Sequence, residues 1–146
     1  MFDLSRFKKR KSTVVAFQFG AYYSIKEKGI YSIFRLLDLP GDSYHIQLIS
    51  SGLTVEPASD QFLDKKPEIY HVPLDIANLL GKEVNLLAHR PLTNDDFYGY
   101  SVYLEEMGAE EIAIQEHFKQ LIDLSTKPPQ KMRLYQDGNV VSADHL

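Results

Sequence analysis

The sequence predicts an α+β fold: one domain over residues 1–146, built on a mostly antiparallel sheet of six or seven strands with about three helices packed on one face. Three observations lead there. The chain has 146 residues, 44% apolar and 25% charged, the size and balance of one ordinary hydrophobic core. Strand-like segments follow one another as hairpins, which favours antiparallel pairing. One late segment carries an unambiguous helical stripe. No linker rich in Gly, Ser or Pro divides the chain, and there is no internal repeat.

The elements follow in order. Residues 1–11 form a basic N-terminal arm, within which Phe2, Leu4 and Phe7 suit a short amphipathic turn. Ser12–Phe19 is a β-branched, aromatic strand ended by Gly20. Over 24–39, Ser24 and Glu27 match a capping box, and Ile30, Ile33, Phe34 and Leu37 recur at helical spacing. A helix is therefore expected there, with a hairpin turning at Lys28-Gly29 as the rival. Residues 44–50 and 53–56 read as two strands joined at Ser51-Gly52, 57–68 as a loop, and 69–72 as a short strand. Residues 74–80 read as a short helix, with Pro73 near its start and Gly81 as its stop. Residues 83–89 and 97–104 read as strands paired across the intervening loop.

The segment 109–126 is the clearest helix. Glu110 and Glu111 lie in its first turn, where the helix dipole favours anions. Ile114, Phe118, Leu121 and Ile122 form its apolar stripe, and Pro128 stops it. Met132–Ser142 reads as a terminal hairpin turning at Asp137-Gly138.

Composition excludes several function classes. There is no cysteine, so disulfides and thiolate metal sites are ruled out. Met1–Lys11 is polar and basic with no apolar run behind it, and no segment approaches the roughly 20 apolar residues a membrane helix needs. A cytoplasmic protein without membrane contact is expected. The net charge of −4 hides a polarity: residues 1–37 carry eight bases against two acids, a balance of +6, while residues 38–146 carry eight against eighteen, a balance of −10.

The strongest functional signal lies between Arg90 and Lys119. It holds seven carboxylates and no lysine or arginine. They are Asp95, Asp96, Glu105, Glu106, Glu110, Glu111 and Glu116, with Tyr98, Tyr100 and Tyr103 among them. Like charges oppose their own compaction, so such a stretch calls for a reason. Glu110 and Glu111 suit a helix start, and Asp95 and Asp96 suit a turn. Glu105 and Glu106 have no such local role. If 97–104 is a strand, Tyr98 and Tyr100 share one face and Tyr103 takes the other, so one face is core. Together these ten residues predict a surface for a basic protein partner, since tyrosine is enriched at binding hot spots and charge complementarity steers association.

Competing chemistries have weaker anchors. Arg6, Lys8, Lys9, Arg10 and Lys11 form a run that can grip phosphate, but the acidic remainder argues against nucleic acid as the partner. The five histidines show no metal-ligand spacing, and neither a metal nor a cofactor is expected. There is no GxSxG elbow and no phosphate-binding glycine loop. In size, acidity and lack of cysteine the chain resembles small bacterial proteins that neutralise a toxin. That resemblance implies a non-enzymatic immunity or antitoxin-like inhibitor, monomeric or homodimeric, that covers the basic surface of a nuclease. The alternatives are a small hydrolase-like enzyme with a His/Asp/Glu site and a nucleic-acid-associated factor using residues 6–11.

Overall fold

The computed structural model describes residues 12–40, 43–58, 62–79, 82–135 and 140–142. The basic arm, Gly81 and the Asp137-Gly138 turn lie outside the described residues. Strands β2 (Ala21–Glu27), β3 (Ile30–Asp38), β4 (Ser43–Leu53), β5 (Ile69–Asp75) and β6 (Glu83–His89) form an antiparallel sheet in the order β5-β4-β3-β2-β6. Two helices, α1 (Tyr98–Glu106) and α2 (Glu111–Leu124), complete the α+β architecture. Strand β1 (Ser12–Phe17) pairs with β7 (Gln130–Tyr135), which pairs with β8 (Val140–Ser142), in a separate small sheet. Among the described residues there are thus two helices rather than the expected three or so, and the main sheet has five strands rather than six or seven.

Sheet burial is two-sided. Tyr23, Phe34, Leu36, Tyr44 and Ile46 point to one face, where Phe17 and Leu79 join them. Arg35, Leu37, Gln47 and Ile49 serve the other, and both helices pack there on Leu37 through Tyr100, Ile114, Phe118 and Leu121. This burial explains the first correction. Residues 24–39 are not a helix but the β2–β3 hairpin, turning at Lys28 (φ 51) and Gly29 (φ 78), the two positive-φ positions of a tight hairpin. A strand buried on both faces loses its alternation, so the run Ile33–Leu37 mimicked a helical stripe.

Three further expectations are corrected. Residues 44–56 are not two strands but one long β4 to Leu53. Residues 74–80 do not form a helix from Leu74. Strand β5 runs through Pro73 to Asp75, and only Ile76–Leu79 coil, as a 3₁₀ turn. Pro73 is accommodated because β5 is an edge strand of its sheet. Most important for function, 97–104 is not a strand and does not pair with β6, which instead pairs with β2. Asn94–Phe97 forms a 3₁₀ turn that runs directly into α1. The Asp96 carboxylate accepts from the Thr93 backbone N–H at 2.8 Å, the capping contact that starts this helical run. Packing then overrides the strand preference of the aromatic segment: Phe97 stacks on Phe118 of α2 with ring centroids 4.3 Å apart. Helix α2 itself follows expectation closely.

Candidate functional site

One buried cation anchors the helical layer. Arg35 on β3 is 1% exposed. Its Nη1 donates to Asp96 Oδ1 at 2.6 Å, its Nε to the Gly20 carbonyl at 3.1 Å and its Nη2 to the Arg90 carbonyl at 2.9 Å. Burial pulls the Arg35 pKa below its usual value, and Asp96 opposes that shift. Gln47 donates to the Asp96 carbonyl at 3.0 Å, so two strands hold the start of α1. Asp96 is thus engaged inside the molecule.

From this anchor α1 runs outward to an acidic corner. Gly108 follows the end of the helix; its φ of +89 suits glycine, and its N–H donates to the Glu105 carbonyl at 3.0 Å. Glu105 and Glu106 close α1, Glu110 caps α2 in extended conformation, and Glu111 opens it. These four, with Asp95 and Glu116, are exposed. None makes a side-chain hydrogen bond or ion pair with the described residues. Glu105 and Glu106 stand at the negative end of a helix dipole, where carboxylates are disfavoured. Exposed apolar side chains accompany them: Tyr98 (71%) and Val102 (42%), one turn apart on α1, then Met107 (69%) and Ile112 (75%) around the corner.

The tyrosines separate by helical rather than strand geometry. Tyr100 is buried and Tyr103 half-buried on the inner face, while Tyr98 projects outward. Beside Tyr98 lies an open groove of about 580 Å³, bounded by Tyr70 of β5, Asn94, Asp95, Ser101 of α1 and Gln115 of α2. Phe97 and Phe118 line its depth.

Beneath α1 the fold assembles a cluster that sequence spacing did not reveal. A bulge after Leu36 places Asp38 opposite His45, so that consecutive Leu37 and Asp38 both serve the helical side. The buried Asp38 carboxylate accepts from Tyr100 Oη and from His117 Nε2, each at 2.6 Å, and from the Leu39 N–H at 2.7 Å. His45 Nδ1 lies 2.8 Å from His71 Nε2, and the two rings stack on each other and on Tyr100. Burial pulls His45 below its usual pKa. His71 falls to about 4, through burial and then repulsion from His45. Burial first, and then the bond to Asp38, raises the Tyr100 pKa.

The chain matches no protein-family model, no curated protein and no solved structure.

Among the described residues, no group of three or more His, Asp or Glu side chains is arranged to hold a metal ion. No described helix is long and apolar enough to cross a membrane. The histidine–aspartate cluster is internally satisfied, and neither His71 nor His117 lines the groove. Its only sequence trace was compositional: His45 and His71 sit on strands whose pairing brings them together, and pairing cannot be read from spacing within one segment.

Proposed function

We propose that this chain is a non-enzymatic protein-binding module that docks a basic partner on α1 and the turn into α2. One observation carries the reading. Glu105 and Glu106 are exposed, unpaired within the described residues, and set at the unfavourable end of a helix, beside exposed Val102 and Met107. Neither intrinsic helix stability nor pairing within the described residues accounts for them. Mixed acidic and apolar exposure fits an interface in which apolar contacts give affinity and charge gives steering. Glu110 and Glu111 extend the same field, with their capping position as a second role.

In its most specific form the module is an immunity or antitoxin-like inhibitor acting in the cytoplasm. Carboxylates would cover the lysines and arginines with which a nuclease domain holds phosphate. Charge complementarity supports this form. The test is affinity capture from the source organism's lysate with wild-type protein and a Glu105→Lys/Glu106→Lys double variant. The wild type is expected to retain a basic protein that the variant loses by tenfold or more. Equal capture by both would remove this surface from consideration.

A further inference from the structure

The groove beside α1 combines room, aromatic walls and one sign of charge. Its volume of about 580 Å³ is within the range of ligand-binding clefts. Its depth is firm, because Phe97 and Phe118 are 1% and 3% exposed and stacked on one another. Its rim is the opposite: Tyr98 and Tyr70 are 71% and 44% exposed. The spacing between those two tyrosines is set by a close contact. A Cβ on Gly99 would meet the Tyr70 Cβ at 2.9 Å and the His71 Cβ at 3.0 Å, so glycine lets α1 lie directly on β5.

The charge of the lining is equally specific. Asp95 is the one carboxylate that the described residues bring to it, it is exposed, and it makes no ion pair with those residues. Among the described residues, no lysine or arginine lines the groove. The side-chain oxygens of Asn94, Ser101 and Gln115 add neutral acceptors.

We propose that this groove receives an arginine side chain from the basic partner polypeptide, its guanidinium lying against Tyr70 or Tyr98 and pairing with Asp95. The inference rests on the docking reading above and names the chemistry of its anchor. Arginine fits better than lysine on three counts. Its plane stacks on aromatic rings, its fork of donors matches a carboxylate and neighbouring amide oxygens together, and it sheds water more readily. An anion would meet Asp95 with the field of Glu105–Glu116 behind it. A neutral ring would desolvate Asp95 without compensation. The ligand is part of a polypeptide because the exposed apolar and acidic surface continues past the groove along Val102, Glu106 and Met107, beyond the reach of a single small cation.

The test is a ¹H–¹⁵N NMR titration of the full chain with tri-arginine, tri-lysine and tri-glutamate peptides, repeated on Asp95→Asn and Tyr98→Ala. Both substituted positions are exposed, and an unchanged pattern of dispersed resonances will verify folding. Tri-arginine is expected to shift resonances of Asn94–Ser101 and Gln115 and to bind at least fivefold tighter than tri-lysine. Each variant should weaken it fivefold or more, and tri-glutamate should be silent. The proposal is overturned by equal responses to tri-arginine and tri-lysine, by shifts centred on Glu105–Glu111, by unchanged affinity in Asp95→Asn, or by no shift at all. Its failure is separable from that of the docking reading. Capture lost in the Glu105→Lys/Glu106→Lys variant with no tri-arginine response sinks the groove alone. A groove response with undiminished capture sinks the acidic-corner reading alone.

Discussion

Arg35 holds three backbone carbonyls and the Asp96 carboxylate from a position 1% exposed. A buried pair of this kind is weak evidence of net stabilisation, but removing one partner leaves the other charged and unsatisfied. Arg35→Met is therefore predicted to lower unfolding stability by about 3–5 kcal/mol in urea titrations, and a loss below about 1 kcal/mol would contradict the anchor. The His45–His71 contact makes a second prediction. One ring must donate to the other's lone pair, so two imidazolium rings cannot keep the bond. Both folded-state pKa values are depressed below the unfolded 6.5, that of His71 to about 4. The unfolded chain thus binds more protons between these values. The contribution is fully present above about pH 6.5 and is lost as pH falls toward 4. The slope is at most ~1.4 kcal/mol per pH unit for each extra proton, reduced because His71 is partly solvated. Thermal unfolding followed from pH 7.5 to 4.5 should show a steeper decline for wild type than for His71→Phe. Parallel curves would refute a role for this contact in acid sensitivity.

At the scale of elements, the helical layer depends on how closely α1 meets β5. Gly99→Ala should cost about 1–3 kcal/mol, because the added methyl meets the Tyr70 and His71 Cβ atoms at 3.0 Å or less and the helix must shift. Denaturant unfolding of this variant, against Gly108→Ala as a positive-φ control facing open space, separates crowding from backbone strain. A Gly99→Ala variant as stable as wild type would contradict the packing described. Elements whose pattern reflects one buried face were legible in the sequence: α2 with its single stripe, and β6, found at 83–89 as expected. The β2–β3 hairpin is not legible as alternation because both faces of β3 are buried. Helix α1 reads locally as a strand because Tyr, Val and Phe favour sheets, whereas Thr93 with Asp96 three residues later carries the helix-start signal. Among the candidate site residues, the exposed carboxylates were legible from charge alone. The engagement of Asp96 with Arg35, 61 residues away in sequence, and the burial of Tyr100 were not, because both depend on tertiary pairing.

Over the whole molecule, a positive N-terminal quarter is followed by a remainder with a balance of −10. The exposed carboxylates of the α1–α2 corner attract cationic surfaces, and added salt screens that attraction. Charge on the exposed corner should therefore act mainly on the association rate, while the apolar side chains of α1 and the groove should act mainly on dissociation. Val102→Ala is predicted to speed release of the captured partner with little change in its arrival, a split that surface-based binding kinetics will read directly. The central claim is that the carboxylates of the α1–α2 corner steer a basic partner. The most direct measurement is the association rate of that partner from 50 to 500 mM salt, for wild type and for Glu105→Lys/Glu106→Lys. The wild-type rate is predicted to fall tenfold or more with salt, and the variant to start lower and change little. Identical rates and identical salt slopes for the two proteins would contradict the claim.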